Sequence, residues 1–183
     1  MTYYGGKELA QGFRTVRNNT IQIAEDIPEE SYSFRPSPNS RSIGQTLAHI
    51  AMVTGFQSYV HQNQIDSLTK VNFPEYIQKS RAEEESLRTK AEIVAQLKAD
   101  GERFAAYLES LPESVLSQSV AMMPGAEPPT KSRFEMLLSA KEHEMHHRGQ
   151  LMVMQRMLGL TPHLTRQMQE RMARQAAQAA AGR

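Results

Sequence analysis

The sequence contains no cysteine, which excludes disulfide bonds and leaves the protein without a thiol of its own for chemistry. It also lacks an excess of charge of either sign. The 21 Lys and Arg residues nearly balance the 20 Asp and Glu residues, and the formal net charge is +1. A chain balanced in this way predicts no strong attraction to nucleic acid or to an anionic membrane surface, so we expect neither as a partner.

Long apolar segments are missing as well. The longest apolar run is only a few residues, far short of the roughly 20 that a membrane-spanning helix needs. The first residues, MTYYGGKELAQGF, lack the basic and apolar regions of a secretory signal. We therefore expect a cytoplasmic protein, and its 183 residues are enough for one domain with a buried core.

Helical periodicity dominates the chain, and no run of alternating residues indicates a strand. Three helix starts carry a capping box, in which a Ser or Thr is followed three residues later by Glu or Gln. Proline- and serine-rich residues 27–41 predict a loop, residues 64–88 a long crossover with some helix, and residues 122–131 a turn-rich connection. The predicted helices cover residues 7–25, 42 to about 62, 89 to about 111, and 132 to about 158.

Four helices of about twenty residues with two long connections predict an all-α fold, a four-helix bundle with long crossover connections. We assign this bundle domain to residues 1–160. Residues 161–183 are predicted to form a C-terminal helical extension, whose alanine-rich end we expect to fray.

Two of the predicted helices carry histidines among their core-facing positions. In the last helix of the bundle, His143 and His147 fall on one stripe with Leu151, because residues four apart lie on nearly the same helical face. In the second helix, His49 shares a stripe with Val53. His146 lies on the flank, where it could support a ligand or stand at the rim, and His61 and His163 are expected at the surface.

These inward histidines have two interpretations. A single buried histidine is usually a hydrogen-bonded core residue, and His49 alone would fit that description. Burying several imidazoles without partners costs about 1–3 kcal/mol each. A divalent cation shared by His143, His147 and a third histidine would satisfy their lone pairs together.

The segment HEMHH, residues 143–147, also matches the H-E-x-x-H signature of zinc proteases, in which the glutamate, here Glu144, is the general base. The extended form of that motif needs Gly and His where the chain has Gln150 and Val153. The other form needs a downstream glutamate, and Glu170 lies at a suitable distance. No predicted strand is available to align a peptide substrate, however. A di-iron bundle needs two Glu-x-x-His motifs, and only Glu144 to His147 fits.

The segments RSIGQTLAHI (41–50) and HEMHHRGQLMVMQRMLG (143–159) resemble the two signature segments of the DinB/YfiT-like metalloenzyme family. This damage-inducible family is unrelated to the DNA polymerase of similar name. The resemblance extends over the N-terminal helix, the FRPSPNSRSIGQ segment and the spacing between the histidine segments. Residues 64–88 and the chain beyond about Gly159 are not placed by it.

The resemblance implies a four-helix bundle, often a homodimer, with one divalent metal ion held by His49, His143 and His147. Ligation by nitrogen alone permits zinc, nickel, iron or copper, and zinc or nickel is expected here. The resemblance further implies a transferase that activates a low-molecular-weight thiol, of bacillithiol, mycothiol or glutathione type, for attack on an electrophile. Glu144 could orient a ligand or carry a proton, although a helix glutamate beside an arginine is more often a surface residue. Two alternatives stay open, a stress-related metal-binding dimer without catalysis and a hydrolase that uses metal-activated water.

Overall fold

A computed structural model describes residues 4–86 and 89–181 of the chain. Short segments of the predicted bundle domain (1–3), crossover (87–88) and C-terminal extension (182–183) therefore lie outside the described residues. Over the described residues the fold is almost entirely helical, which confirms the all-α class. Its helices are α1 (Gly6–Asp26), α2 (Ile43–Met52), α3 (Thr54–Gln62), α4 (Phe73–Ser86), α5 (Lys90–Ser110), α6 (Glu113–Leu116), α7 (Arg133–Met157) and α8 (His163–Ala181).

Four of these elements, α1, α2 with α3, α5 and α7, form the predicted four-helix bundle. Helices α5 and α7 each pack against both α1 and α2, so α1 and α2 lie diagonally across the bundle. A diagonal neighbour cannot be reached by a short turn, which accounts for the long connection between α1 and α2. The start of α1 approaches the end of α5 so closely that a Cβ on Gly6 would lie 2.5 Å from the Leu108 carbonyl oxygen.

The helix starts form as their capping residues predict. The hydroxyls of Ser42, Thr89 and Ser132 accept hydrogen bonds from the backbone amides three residues ahead, at 3.2, 3.2 and 3.1 Å. Each bond satisfies one of the amides that a helix leaves without an internal partner. At the other end of α7, Gly159 has a φ of 77°, a left-handed conformation that glycine adopts without a steric penalty.

Three local features differ from the sequence prediction. The helix expected from residue 42 to about 62 is divided into α2 and α3 at Val53, whose amide bonds to the Ile50 carbonyl as in a tighter turn. The crossover holds a full helix, α4. The turn-rich connection is an antiparallel hairpin of strands β1 (Ser119–Ala121) and β2 (Thr130–Ser132). Strands of three residues are too short for alternation to reveal them.

The core fills the space between these helices in two main clusters. One joins α1, α2, α5 and α7 through residues such as Ile23, Leu47, Leu97 and Leu151. The other lies toward the start of α1, where the Phe13 and Phe104 rings meet edge to face with centroids 5.0 Å apart. Because α2 packs on α7, the ends of their side chains can meet at the adjoining surface of the bundle.

Helix α8 follows the bundle and contacts α1 through its first turns. His163 is the buried residue of this helix, and residues 170–181 are exposed. No helix within residues 4–86 and 89–181 is long and apolar enough to span a bilayer.

Candidate metal centre

Helices α2 and α7 bring three imidazoles together at the surface of the bundle. The Nε2 atom of His143 lies 3.0 Å from Nε2 of His49 and 3.1 Å from Nε2 of His147. One ring nitrogen from each residue falls within 4.8 Å of the others. These are the three histidines that the sequence placed on inward stripes, and the structure gathers them from positions 94 residues apart in the chain.

This arrangement suits a divalent ion. Zinc–nitrogen bonds of about 2.0–2.1 Å in a tetrahedral site place neighbouring nitrogens about 3.3 Å apart. The observed separations of 3.0 and 3.1 Å are close to that value. Three imidazoles would leave at least one coordination position for a ligand from solution, which is typical of catalytic rather than structural sites. The three histidines thus form a group that could hold one metal ion.

Two of the rings are oriented by side chains behind them. The Nδ1 atom of His49 lies 2.9 Å from a carboxylate oxygen of Glu84 on α4, and Nδ1 of His147 lies 2.8 Å from Oε1 of Gln150. Both oxygens accept, so each Nδ1 carries the proton and each Nε2 presents its lone pair to the cluster. Contacts of this kind fix the tautomer and orientation of metal-binding histidines.

Burial differs among the three residues. His147 is buried and His49 is half-buried, but His143 is exposed, so the expectation that His143 faces the core is wrong. The reason is that helical spacing fixes the side of α7 on which His143 lies but not whether neighbouring helices cover it, and here they leave its side chain exposed. The cluster is therefore open on the His143 side.

The electrostatics of the cluster favour neutral rings. Although the residue is exposed overall, the surrounding rings and side chains shield part of the His143 imidazole from water, and this desolvation, followed by the charges that the neighbouring histidines would carry, lowers its pKa to about 4. Burial also lowers the pKa of His147, against the opposing hydrogen bond to Gln150. Burial by itself would raise the pKa of Glu84, but its hydrogen bond to His49 and the nearby charges of His49 and Arg41 outweigh this and lower it. Neutral imidazoles are the form that binds metal.

Comparison with known proteins identifies the family of this chain. The family model described as DinB family matches residues 1–178. The chain is 28% identical over 154 residues to the uncharacterised protein YjoA of Bacillus subtilis, covering 84% of this chain and 91% of YjoA.

The chain belongs to the DinB family.

Solved structures agree with that assignment. The crystal structure of DinB-like YjoA superposes with a TM-score of 0.63 at 25% identity, covering 84% of this chain and 93% of YjoA. The structure of Bacillus subtilis YfiT, described as a probable metal-dependent hydrolase with an unusual four-helix bundle topology, gives a TM-score of 0.67 at 12% identity. That match covers 88% of this chain and 91% of YfiT, and at this identity it shows a shared fold.

The remaining histidine of the HEMHH segment, His146, lies beside the cluster without belonging to it. Its ring is exposed, and its Nε2 lies 3.2 Å from Nε2 of Gln150, the residue that also contacts His147. The flank position predicted from the helical angle is where the structure places it.

Glu144 is predicted either to orient a ligand or carry a proton, or to be a surface residue, and the second prediction is wrong. Its side chain is completely buried and pairs with the guanidinium of Arg17 on α1 at 3.0 Å. Arg17 also donates to the backbone carbonyls of Leu97 and Ile50, so one ion pair joins α1, α7, α5 and α2. The sequence could not show this, because helix α7 is packed on two sides and both of its flanks face other helices.

One form of the zinc-protease motif needs a downstream glutamate, and the candidate was Glu170. This residue is on α8, where it is exposed and pairs with Arg174. The structure thus brings His143 and His147 together with His49 and not with Glu170. It also gives the glutamate of the H-E-x-x-H segment a buried arginine partner.

Two other histidines expected at the surface are buried. His61 on α3 is 4% exposed and lies between Gln57 and Arg133, and His163 is 4% exposed with its Nε2 3.0 Å from Asn19 Oδ1. Both rings are covered because α7 and α8 fold back over α3 and α1, which local periodicity does not indicate.

Sequence reasoning did not single out Glu84. It was one of several acidic residues in a crossover of undefined structure, and its role depends on α4 lying across α2. The one available signal was the general expectation that a ligand histidine donates its second N–H to a carboxylate or carbonyl.

Proposed function

We propose that the protein is a metal-dependent enzyme that activates a low-molecular-weight thiol for attack on an electrophile. The observation that carries the proposal is the convergence of three imidazoles, with His49 and His147 fixed from behind, on a face open to solvent. A divalent ion held by His49, His143 and His147 would act as a Lewis acid that lowers the pKa of a coordinated thiol.

The surrounding residues support an external thiol as the nucleophile. The chain has no cysteine, so a sulfur nucleophile has to come from solution. Beside His147 lies a cleft of about 370 Å³ whose wall includes Pro36, Val153 and Met154, room and apolar surface for an organic molecule rather than for water alone. Two carboxylates near the site already have partners: Glu144 pairs with Arg17, and Glu84 contacts His49.

The reaction we propose is a substitution. The thiol loses its proton to solvent, its sulfur forms a bond to the electrophilic carbon, and the leaving group departs with the bonding electron pair. The protein's own residues hold the metal ion, align the ligand rings through Glu84 and Gln150, and provide the cleft wall. The His143 side leaves the approach open to the electrophile.

Hydrolysis by metal-activated water is the second candidate, favoured by the solvent exposure of His143. The description of YfiT as a probable metal-dependent hydrolase is consistent with it. An assay of a nitrophenyl ester alongside the thiol reaction separates the two candidates.

The test uses untagged protein, because a polyhistidine tag would bind metal itself. Protein freed of metal by chelation is reloaded with zinc or nickel and mixed with glutathione and an aryl chloride. We expect a conjugation rate above the uncatalysed rate that depends on added metal, disappears in His49→Ala and persists in His146→Ala. Full metal occupancy with ester hydrolysis but no thiol reaction would favour the hydrolase. Full occupancy with neither reaction would favour a binding protein.

A further inference from the structure

Arg41 lies beside the histidine cluster, near Glu84 and at the wall of the cleft that contains His147. It directly precedes Ser42, the capping residue of α2, and its side chain is 48% exposed. Arg41 lines the cleft of about 370 Å³ that contains His147, and also a second cavity of about 480 Å³ that contains Glu84. The guanidinium therefore stands between two openings, one of which reaches His147 of the histidine cluster and the other Glu84, the residue that contacts His49.

The guanidinium of Arg41 has donors to spare. Its Nε lies 3.6 Å from a Glu84 oxygen, longer than a normal hydrogen bond, and this is its one ion pair among the residues that the structure describes. By contrast, Arg17 bonds Glu144 and two carbonyls, and Arg14 bonds both Glu102 and Glu109. The two terminal amino groups of Arg41 form a planar fork suited to a carboxylate.

The backbone that carries Arg41 is held in place. Arg35 donates to the Ser40 carbonyl oxygen at 2.6 Å, and the Ser40 hydroxyl donates to the Ser37 carbonyl oxygen at 2.7 Å. These bonds close the turn immediately before Arg41, so the guanidinium is presented from an ordered loop. A residue positioned before the ligand arrives loses less entropy on binding it.

The charge near the cleft is favourable to an anion. Arg41 lines the cleft beside His147, and no acidic residue of the described chain lines it with them. The second cavity is lined by Glu29, Glu84 and Glu85 and by Lys90, so with a divalent ion bound the metal, Arg41 and Lys90 would together outweigh these three carboxylates. Such a field raises the local concentration of anionic ligands.

We infer that Arg41 binds a carboxylate of the substrate, and that the thiol used by this protein carries one. The carboxylate would pair with the guanidinium while the apolar part of the molecule lies against Val153 and Met154 and its sulfur reaches the histidine cluster. Glutathione and bacillithiol carry carboxylates, and mycothiol does not, so the inference narrows the thiol class. The identity of the nucleophile rests on the proposed function, whereas the carboxylate site does not.

Binding and kinetics test this inference separately. S-methylglutathione, whose sulfur is blocked, is titrated into zinc-loaded protein by calorimetry. We expect Arg41→Met to weaken its binding about tenfold or more, Arg41→Lys to restore part of the loss, and Arg171→Met, the same charge removal on α8, to have no effect. In the conjugation assay, the ratio of kcat/KM for glutathione to that for 2-mercaptoethanol should fall about tenfold in Arg41→Met, mainly through KM.

A comparison that needs no variant uses glutathione diethyl ester with the unmodified protein. Its KM should exceed that of glutathione about tenfold, because the ester offers no carboxylate to Arg41. Equal turnover of the ester and the acid would overturn the inference while leaving the thiol transferase proposal intact. Arg41-dependent binding of S-methylglutathione without any thiol reaction would uphold the inference and reject that proposal.

Discussion

The Nδ1 atom of His49 lies 2.9 Å from a carboxylate oxygen of Glu84, so helix α4 fixes the ring of a candidate metal ligand on helix α2. The carboxylate accepts the Nδ1 proton and makes the opposite nitrogen a better donor to a metal ion. Glu84 also lies near Arg41, which links the histidine cluster to the adjoining cleft. The crossover between the second and third bundle helices is therefore part of the site.

Replacing Glu84 with Gln should weaken metal binding about 10- to 100-fold, because the amide holds the His49 ring less firmly and supplies no negative charge. Competition with a fluorescent zinc chelator measures the affinity. The control is Glu83→Gln, which removes the same charge from the adjacent, exposed position on α4. Equal affinities for the two variants would show that Glu84 does not support the site.

Alanine at His49, His143 or His147 should each abolish tight binding of one metal ion per chain, since two imidazoles alone rarely retain a divalent ion in competition with a chelator. Elemental analysis of untagged protein measures the occupancy. His146→Ala is the matched control: it removes an exposed imidazole one residue from His147 and should leave occupancy at one. If His146→Ala loses the metal and His49→Ala keeps it, the proposed ligand set is wrong.

The buried Arg17–Glu144 pair should govern stability and leave metal affinity unchanged. Glu144→Leu strands a buried guanidinium and should lower the free energy of unfolding by about 3–5 kcal/mol. Adding Arg17→Met removes the stranded charge and should recover part of that loss. Urea unfolding of the metal-free proteins gives the stabilities. A stable Glu144→Leu protein that binds metal but has lost activity would instead indicate a catalytic role for Glu144.

His61 should make the protein less stable in mild acid. Arg133 Nη1 lies 3.0 Å from its Nδ1, and its Nε2 lies 3.1 Å from Gln57 Oε1, an arrangement that requires a neutral ring. Burial, and then the charge of Arg133, lowers the pKa of His61 to about 4 from its usual 6.5. Above pH 6.5 the ring is neutral in both the folded protein and the unfolded chain, so it does not make the stability depend on pH.

As the pH falls from about 6.5 to 4, the unfolded chain binds a proton at His61 that the folded protein excludes, so stability falls by about 3 kcal/mol through this residue. In His61→Gln this part of the decline should vanish. Urea unfolding at pH 7, 5.5 and 4.5 measures the difference. His146→Gln, at an exposed position, should decline as the unmodified protein does, and a parallel decline in His61→Gln would contradict the prediction.

Much of this protein could be anticipated from local pattern. Ser42, Thr89 and Ser132 mark their helix starts because capping depends on residues three apart, and His143 and His147 converge because a helix places residues four apart on one face. Both relations depend only on residues that lie three or four positions apart in the chain. The resemblance to DinB-family segments then linked His49 to them.

What the sequence by itself determined was where the four bundle helices begin and which imidazoles share a face, since both follow from the geometry of one helix. Only the tertiary structure decided that Glu84 supports His49, that Glu144 pairs with Arg17, that His61 is buried and His143 exposed, and that Arg41 faces the cleft. Each of these depends on which flank of a helix its neighbours cover. The path of the long connections decides which helices become neighbours, and the spacing of residues within one helix does not indicate that path.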